Sequence, residues 1–259
     1  MTYGSGREVW SDIPQMVHPG AQYSRAPITQ AILEIQCEVS SDVDIDALQN
    51  IVNLNEFPRV EDAKHVQVDL GRSGETTSQR LGFVMHHKSG RFTVGSRSTG
   101  LSYTENAPYS GWEDFSSRAL EFWSEYKKIA RPTGIKRLGV RFVNQINIPK
   151  PQIEIKDYVR TAVDISPYLP QAVSGYFLQV TVPLDKFDSS ATITSTITAS
   201  KTVGTTSLIL DIDAFQIVDI SPEEAVSEDE LCSRLNTLRD AKNYTFEACV
   251  TDATRGIIS

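Results

Sequence analysis

The chain has 259 residues, enough for one large domain or two small ones with a proper core. Hydrophobic residues make up 40% and charged residues 22%, an ordinary balance for a soluble globular protein. A formal charge of −8 argues against nucleic acid or anionic membrane as partners, because neutralising phosphates needs a basic excess, although a small basic pocket stays compatible with it.

Residues 1–24 are polar and broken by Pro14 and Pro19, so an irregular N-terminal arm is expected. The stretch has no charged start followed by an apolar block, no run nears the ~20 residues that span a bilayer, and the expected compartment is the cytoplasm. A strand follows over 27–39, with Ala31, Leu33, Ile35, Cys37 and Val39 on one face. Its other face carries Gln30, Glu34, Gln36 and Glu38, with Ile32 among them. Capping residues and helical spacing of Val43, Ala47, Ile51 and Leu54 predict a helix over 41–54. A short strand is expected over 64–70, then three better ones over 79–87, 91–97 and 100–105, joined by the turns KSGR and STG. A strong amphipathic helix over 110–130 presents Trp112, Phe115, Ala119, Phe122, Trp123 and Tyr126, and stops at Arg131-Pro132.

The order then repeats. IKRLGVRFVNQINIP predicts a long strand over 135–148, with Leu138, Val140, Phe142, Ile146 and Ile148 on one face and Asn144 interrupting that row. A short helix is expected near 155–163, strands near 173–183, 190–199 and 206–217, and a helix over 228–241 opened by a Ser227/Glu230 capping box. A last helical piece over 246–258 closes the chain. In SATITSTITASK the even-numbered threonines 192–198 point outward and Ile193 and Ile197 inward.

Both halves thus read as strand, helix, three strands, long helix. The predicted class is α+β: duplicated β-α-β-β-β-α units, 25–133 and 134–259, forming one continuous curved antiparallel sheet with helices on one face. The order of elements is similar to saddle folds such as the TATA-binding protein and to helix-grip folds, a likeness that licenses no function.

The first strands of the two halves would meet at the pseudo-twofold. Arg137, Arg141, Gln145 and Asn147 would then face Glu34 and Glu38, close enough for ion pairing. Either Glu34 and Glu38 neutralise the arginines, or the arginines, with Gln145, Asn147 and Glu34 beside them, hold an anionic ligand. Asp211 and Asp213 of LILDID share one strand face and form a weak candidate magnesium site lacking a third ligand. The acidic run from Asp211 to Glu230, without Lys or Arg, reads as a solvated surface or a docking patch for a basic partner. His86 and His87 point to opposite faces of a strand, and His18 and His65 have no partner at ligand spacing.

Cys37, Cys232 and Cys249 show no C-x-x-C spacing, and Cys37 sits in an apolar alternation, which suits a reduced intracellular protein. There is no GxxxxGK[ST], GxGxxG or GxSxG, which argues against the common nucleotide-binding and hydrolase chemistries. No cofactor is expected.

YSRAPITQAILEI, YSGWEDF, FWSEY, RLGVRFVNQINIP, LILDID and NYTFEACVTDATR together resemble a sporadically distributed family of prokaryotic proteins of about this length. The resemblance runs from Tyr23 to the C-terminus, with Phe142 where that family often has tyrosine. It implies no activity and no catalytic residues. Its patchy occurrence is typical of mobile elements, toxin–antitoxin pairs and antiviral defence systems. The expectation is a non-enzymatic recognition protein binding a partner protein or small anionic ligand on the open sheet face, with homodimerisation through a sheet edge feasible. The alternative is a metal-dependent phosphate enzyme using Asp211 and Asp213, with Arg137 and Arg141 holding substrate.

Overall fold

A computed structural model describes residues 23–68, 76–170, 173, 175–200, 202–220 and 227–259. The arm before Tyr23, His18 and the acidic residues Glu223 and Glu224 lie outside the described residues. Strict apolar–polar alternation produces a single mixed α+β fold around one antiparallel sheet. Its strands are β1 (Ile28–Val39), β2 (Arg59–Val68), β3 (Thr76–His86), β4 (Phe92–Arg97), β5 (Gly100–Asn106), β6 (Pro132–Ile148), β7 (Phe177–Leu184), β8 (Ser189–Ala199) and β9 (Thr206–Ile220). They lie in the order β2-β3-β4-β5-β1-β6-β9-β8-β7, every neighbouring pair antiparallel.

The strands that open the two predicted halves, β1 and β6, are neighbours at the middle of this sheet. Their register sets Ala31 opposite Phe142, Leu33 opposite Val140 and Ile35 opposite Leu138, so the two apolar rows share one face. All six are essentially inaccessible. Each of them larger than Ala31 contributes roughly 1.5–3 kcal/mol by leaving water. On β9 the row continues through Leu208, Leu210, Ile212 and Ala214, all buried.

Two long helices cover this face. α1 (Trp112–Ala130) buries Phe115, Ala119, Trp123 and Tyr126 of the predicted stripe together with Ala130, while Trp112 and Phe122 are only half-buried. It ends at Arg131 in the left-handed region, and Pro132, unable to continue a helix, begins β6. α2 (Glu228–Cys249) starts at Ser227, whose Oγ accepts from the Glu230 backbone N–H. The Glu230 carboxylate pairs with Arg234 one turn on. α2 runs to Cys249, eight residues beyond the predicted end, because buried positions continue at Leu231, Leu235, Leu238, Lys242, Thr245 and Cys249. A short α3 (Asp252–Ile258) follows.

Other expectations need correction. The helix predicted over 41–54 is a 3-10 helix at Asp46–Ile51, flanked by the β-branched Val43, Ile45 and Val52. The one predicted near 155–163 shortens to Ile155–Asp157, because Val159 is drawn into a β-bridge with Val250. The first strand of the β2–β3 hairpin begins at Arg59 rather than 64.

Candidate functional site

All seven residues singled out in the sequence lie on the sheet face turned away from α1 and α2, and all are engaged with one another or with neighbours. Arg137 is flanked in sequence by Leu138 and then Gly139, on the same face as Arg137 itself. Gly139 stands opposite Glu34 on β1 and Phe215 on β9. The Arg137 guanidinium lies along its own strand in the space that glycine leaves: a Cβ at Gly139 would sit 2.3 Å from one of its nitrogens. There it donates to Glu34 at 2.7 Å and Asp213 at 2.6 Å, with the Phe215 ring centroid 4.7 Å away. Its side chain is 15% exposed.

Arg141 makes a bidentate contact with Asp211, at 2.9 Å from Nε and 2.5 Å from a terminal nitrogen. That hydrogen bonding raises the guanidinium's pKa further, against the opposing effect of burial. Glu38 is not its partner. The register sets Ile32, not a carboxylate, opposite Arg141, and Glu38 instead meets Lys136 at 3.6 Å. Burial pushes the Asp213 carboxyl up, with Arg137 opposing it. Glu34, Asp211 and Asp213 bring three negative charges to two guanidiniums, an arrangement that holds the seam together and offers no spare positive charge to an anion. Among the described residues no group of three or more His, Cys, Asp or Glu side chains could hold a metal. Gln145 donates to Asn147 at 3.1 Å and to Ser207 at 3.2 Å, and Ser207 donates to Asn147 at 2.7 Å. Gln145 and Asn147 border a shallow cavity of about 550 Å³ near Arg25.

The larger cavity lies on the opposite face, between α1 and α2, and encloses about 930 Å³. Its floor is the part of β6 formed by Phe142 and Asn144. Asn144, the polar break in the apolar row, is 3% exposed. Its amide nitrogen donates to the carbonyls of Phe142 and Leu210, which leaves its oxygen as the acceptor. The rim from α1 begins at Gly111, whose φ of 105° is a conformation that strongly favours glycine. Trp112 follows, donating from its indole to Asn236 at 2.7 Å and lying 5.7 Å from the Arg239 guanidinium. Tyr109 stands edge-on to Phe142 at 5.2 Å, and burial pushes its phenol pKa up. At the other end Tyr23 donates to the buried Glu247 at 2.7 Å, and Arg255 contacts the same carboxylate at 3.1 Å. Burial and Glu247 together push the Tyr23 pKa up to about 12.

Lys242 projects from α2 into this space. It is 9% exposed, with Nζ 3.9 Å from the Phe142 ring centroid and a hydrogen bond to Asn243 Oδ1 at 2.6 Å. Burial, then the nearby Arg239, push its pKa down to about 7, with Asp240 opposing them. Arg239 is itself paired with Asp240 at 2.9 Å. Among the described residues Lys242 and Lys186, a second cation lining the cleft, form no ion pair. Lys186 sits 5.4 Å from the Phe187 ring centroid.

The sequence reading did not single out Lys242, Arg239, Trp112 or Tyr109 as site residues. The signal that could have found Lys242 is its place in the apolar spacing of α2, where a lysine occupies a position otherwise taken by leucines. No model of a known protein family matches the chain, and no curated protein matches it.

Proposed function

We propose that the protein is a recognition protein that binds a small planar molecule with an anionic or carbonyl head in the cleft between α1 and α2. The observation that carries this reading is the pairing, in one cavity of about 930 Å³, of aromatic walls with two lysine amines that form no ion pair among the described residues. Trp112, Tyr109, Phe142 and Phe246 suit a flat apolar body. Lys242 and Lys186 suit the polar head, and the cavity lies within the size range of small-molecule sites. The open face, by contrast, has its arginines held by Glu34, Asp211 and Asp213, so the ligand belongs on the helical side of the sheet.

The reading extends to the origin of the fold. The strand order runs outward from β1–β6 as β5, β4, β3 and β2 on one side and β9, β8 and β7 on the other. The three strands flanking the centre on each side support an ancestral duplication with a saddle-like sheet, β2 being an addition to one flank. The resemblance to sporadically distributed prokaryotic proteins and the free thiols of Cys37, Cys232 and Cys249 support a role in a reducing cytoplasm, in a mobile-element or defence context. An adjacent toxin or nuclease gene would strengthen that context, and a conserved metabolic neighbourhood would remove it.

The test of the binding reading uses aromatic carboxylates such as benzoate, 4-hydroxybenzoate and indole-3-acetate. Each is titrated against intrinsic tryptophan fluorescence and thermal stability. A ligand at about 100 times its Kd adds about 2.7 kcal/mol, several degrees in Tm. The expected result is a saturable fluorescence change that weakens when Trp112 is replaced by alanine. No saturable response to any member, together with no small molecule copurifying in native mass spectrometry, would overturn it.

A further inference from the structure

The inference deepens the binding reading and rests on it. We propose that the molecule held in the α1–α2 cleft carries an aldehyde or ketone, and that Lys242 captures it as an imine.

Position comes first. Nζ of Lys242 lies against the face of Phe142, on the floor of the α1–α2 cleft, where a ligand head would arrive. Its one described hydrogen-bond partner is the neutral amide oxygen of Asn243, in place of a carboxylate that would hold it protonated. A lysine at this depth serves stability poorly, since an apolar residue there would cost no desolvation. Chemistry agrees with position, because an amine must be neutral to attack a carbonyl, and desolvation of lysine is one established route to that state. With a pKa near 7, Lys242 offers roughly a thousandfold more neutral amine at pH 7 than an ordinary lysine. The charged and titratable groups sharing its cleft are Arg239, Asp240 and Glu247 on α2, Glu113 on α1, Lys186 after β7, and Tyr109 and Tyr23. Arg239 and Asp240 offset one another and Glu247 is held by Arg255, so desolvation decides the protonation state.

The step balances without an oxidant or reductant. The Nζ lone pair adds to the carbonyl carbon while the π electrons move onto oxygen. A proton passes from nitrogen to that oxygen to give a carbinolamine. Taking up one proton from solvent, the carbinolamine loses its hydroxyl as water and leaves a protonated C=N bond. Hydrolysis reverses each stage, so the capture is a reversible covalent binding event.

The probe is 4-formylbenzoate, an aromatic aldehyde with an anionic group, incubated with the full chain and then treated with borohydride. Peptide mapping is expected to find one dominant adduct, at Lys242, with the mass of the probe less a water plus two hydrogens. Trapping is expected to rise steeply as pH increases through about 7. Lys242→Met should lose the adduct, whereas Lys128→Met, on the exposed side of α1, should keep it. Saturable quenching of tryptophan fluorescence by the probe, with no adduct at Lys242 or with adducts spread evenly over surface lysines, would overturn the imine and leave the binding reading standing. Absence of both quenching and adduct would remove both. Because mapping is done on the unmodified chain, the outcome does not depend on whether Lys242→Met folds.

Discussion

Arg137 illustrates how one missing side chain organises its neighbours. Gly139 leaves an opening above the strand, and the guanidinium fills it between Glu34, Asp213 and Phe215. Replacing Arg137 by methionine keeps the length of the arm but leaves two carboxylates facing each other in a half-buried site. The expected loss is about 3 kcal/mol in chemical denaturation, the usual consequence of removing one member of a buried pair. Changing Asp213 to asparagine at the same time should recover part of it. Gly139→Ala should cost about 1–3 kcal/mol by displacing the guanidinium, and should show a strong coupling with Arg137→Met in a double-mutant cycle. Lys242 gives the opposite sign. Unfolded, its amine keeps a proton up to the ordinary value of 10.5, but folded only up to about 7. Between those values the unfolded state binds the extra proton, so the penalty on folding is complete below pH 7 and fades as pH rises towards 10.5. Lys242→Met should therefore be more stable than the parent by a few kcal/mol at pH 6.5, with the difference in Tm shrinking at pH 9 to 10.

At the level of single elements, α2 carries the most predictive weight. The Ser227 cap and the acidic first turn of Glu228, Asp229 and Glu230 complement the helix dipole. Ser227→Ala should lower stability by about 1 kcal/mol without altering the α1–α2 cleft, which lies three turns away, so probe binding should be unchanged. Strands and long helices were readable because alternation and helical spacing are imposed by burial, and both survive tertiary context. Local stretches with weak periodicity were not. The segment 41–54 shows helical spacing, yet its β-branched residues favour a short 3-10 helix of two turns once Leu48 and Ile51 reach the core. The predicted α2 ends at 241, just before Lys242 and Asn243, whereas in three dimensions that lysine turns inward and the helix continues to Cys249.

Across the whole molecule, one hydrophobic cluster joins residues from both sides of the seam: Phe115 of α1 lies 6.1 Å from Phe142 of β6, and Leu33, Leu138, Ala214 and Leu235 belong to the same buried group. A second cluster, with Ile146, Leu210 and Val250, lies wholly on the β6–β9–β8 side, yet β6 contributes to both, so far-UV and near-UV circular dichroism should report coincident thermal transitions. Separate transitions would mean that the flanks fold independently. The pairing of β1 with β6 could be anticipated from the order of elements, and so could the pairing of Arg137 with Glu34. The involvement of Asp211 and Asp213 could not, because register between distant strands depends on bulges such as those in β1–β6 and β6–β9 that no local pattern encodes. For the same reason the α1–α2 cleft was invisible, since its two rims are more than a hundred residues apart in the chain.

That geometry has a mechanical corollary. The bed of the cavity is one unbroken strand, while its banks belong to opposite wings of the sheet, so any guest wedged there works as a keystone. Gripped by Trp112 on one bank and Lys242 on the other, it would hold α1 and α2 at one spacing.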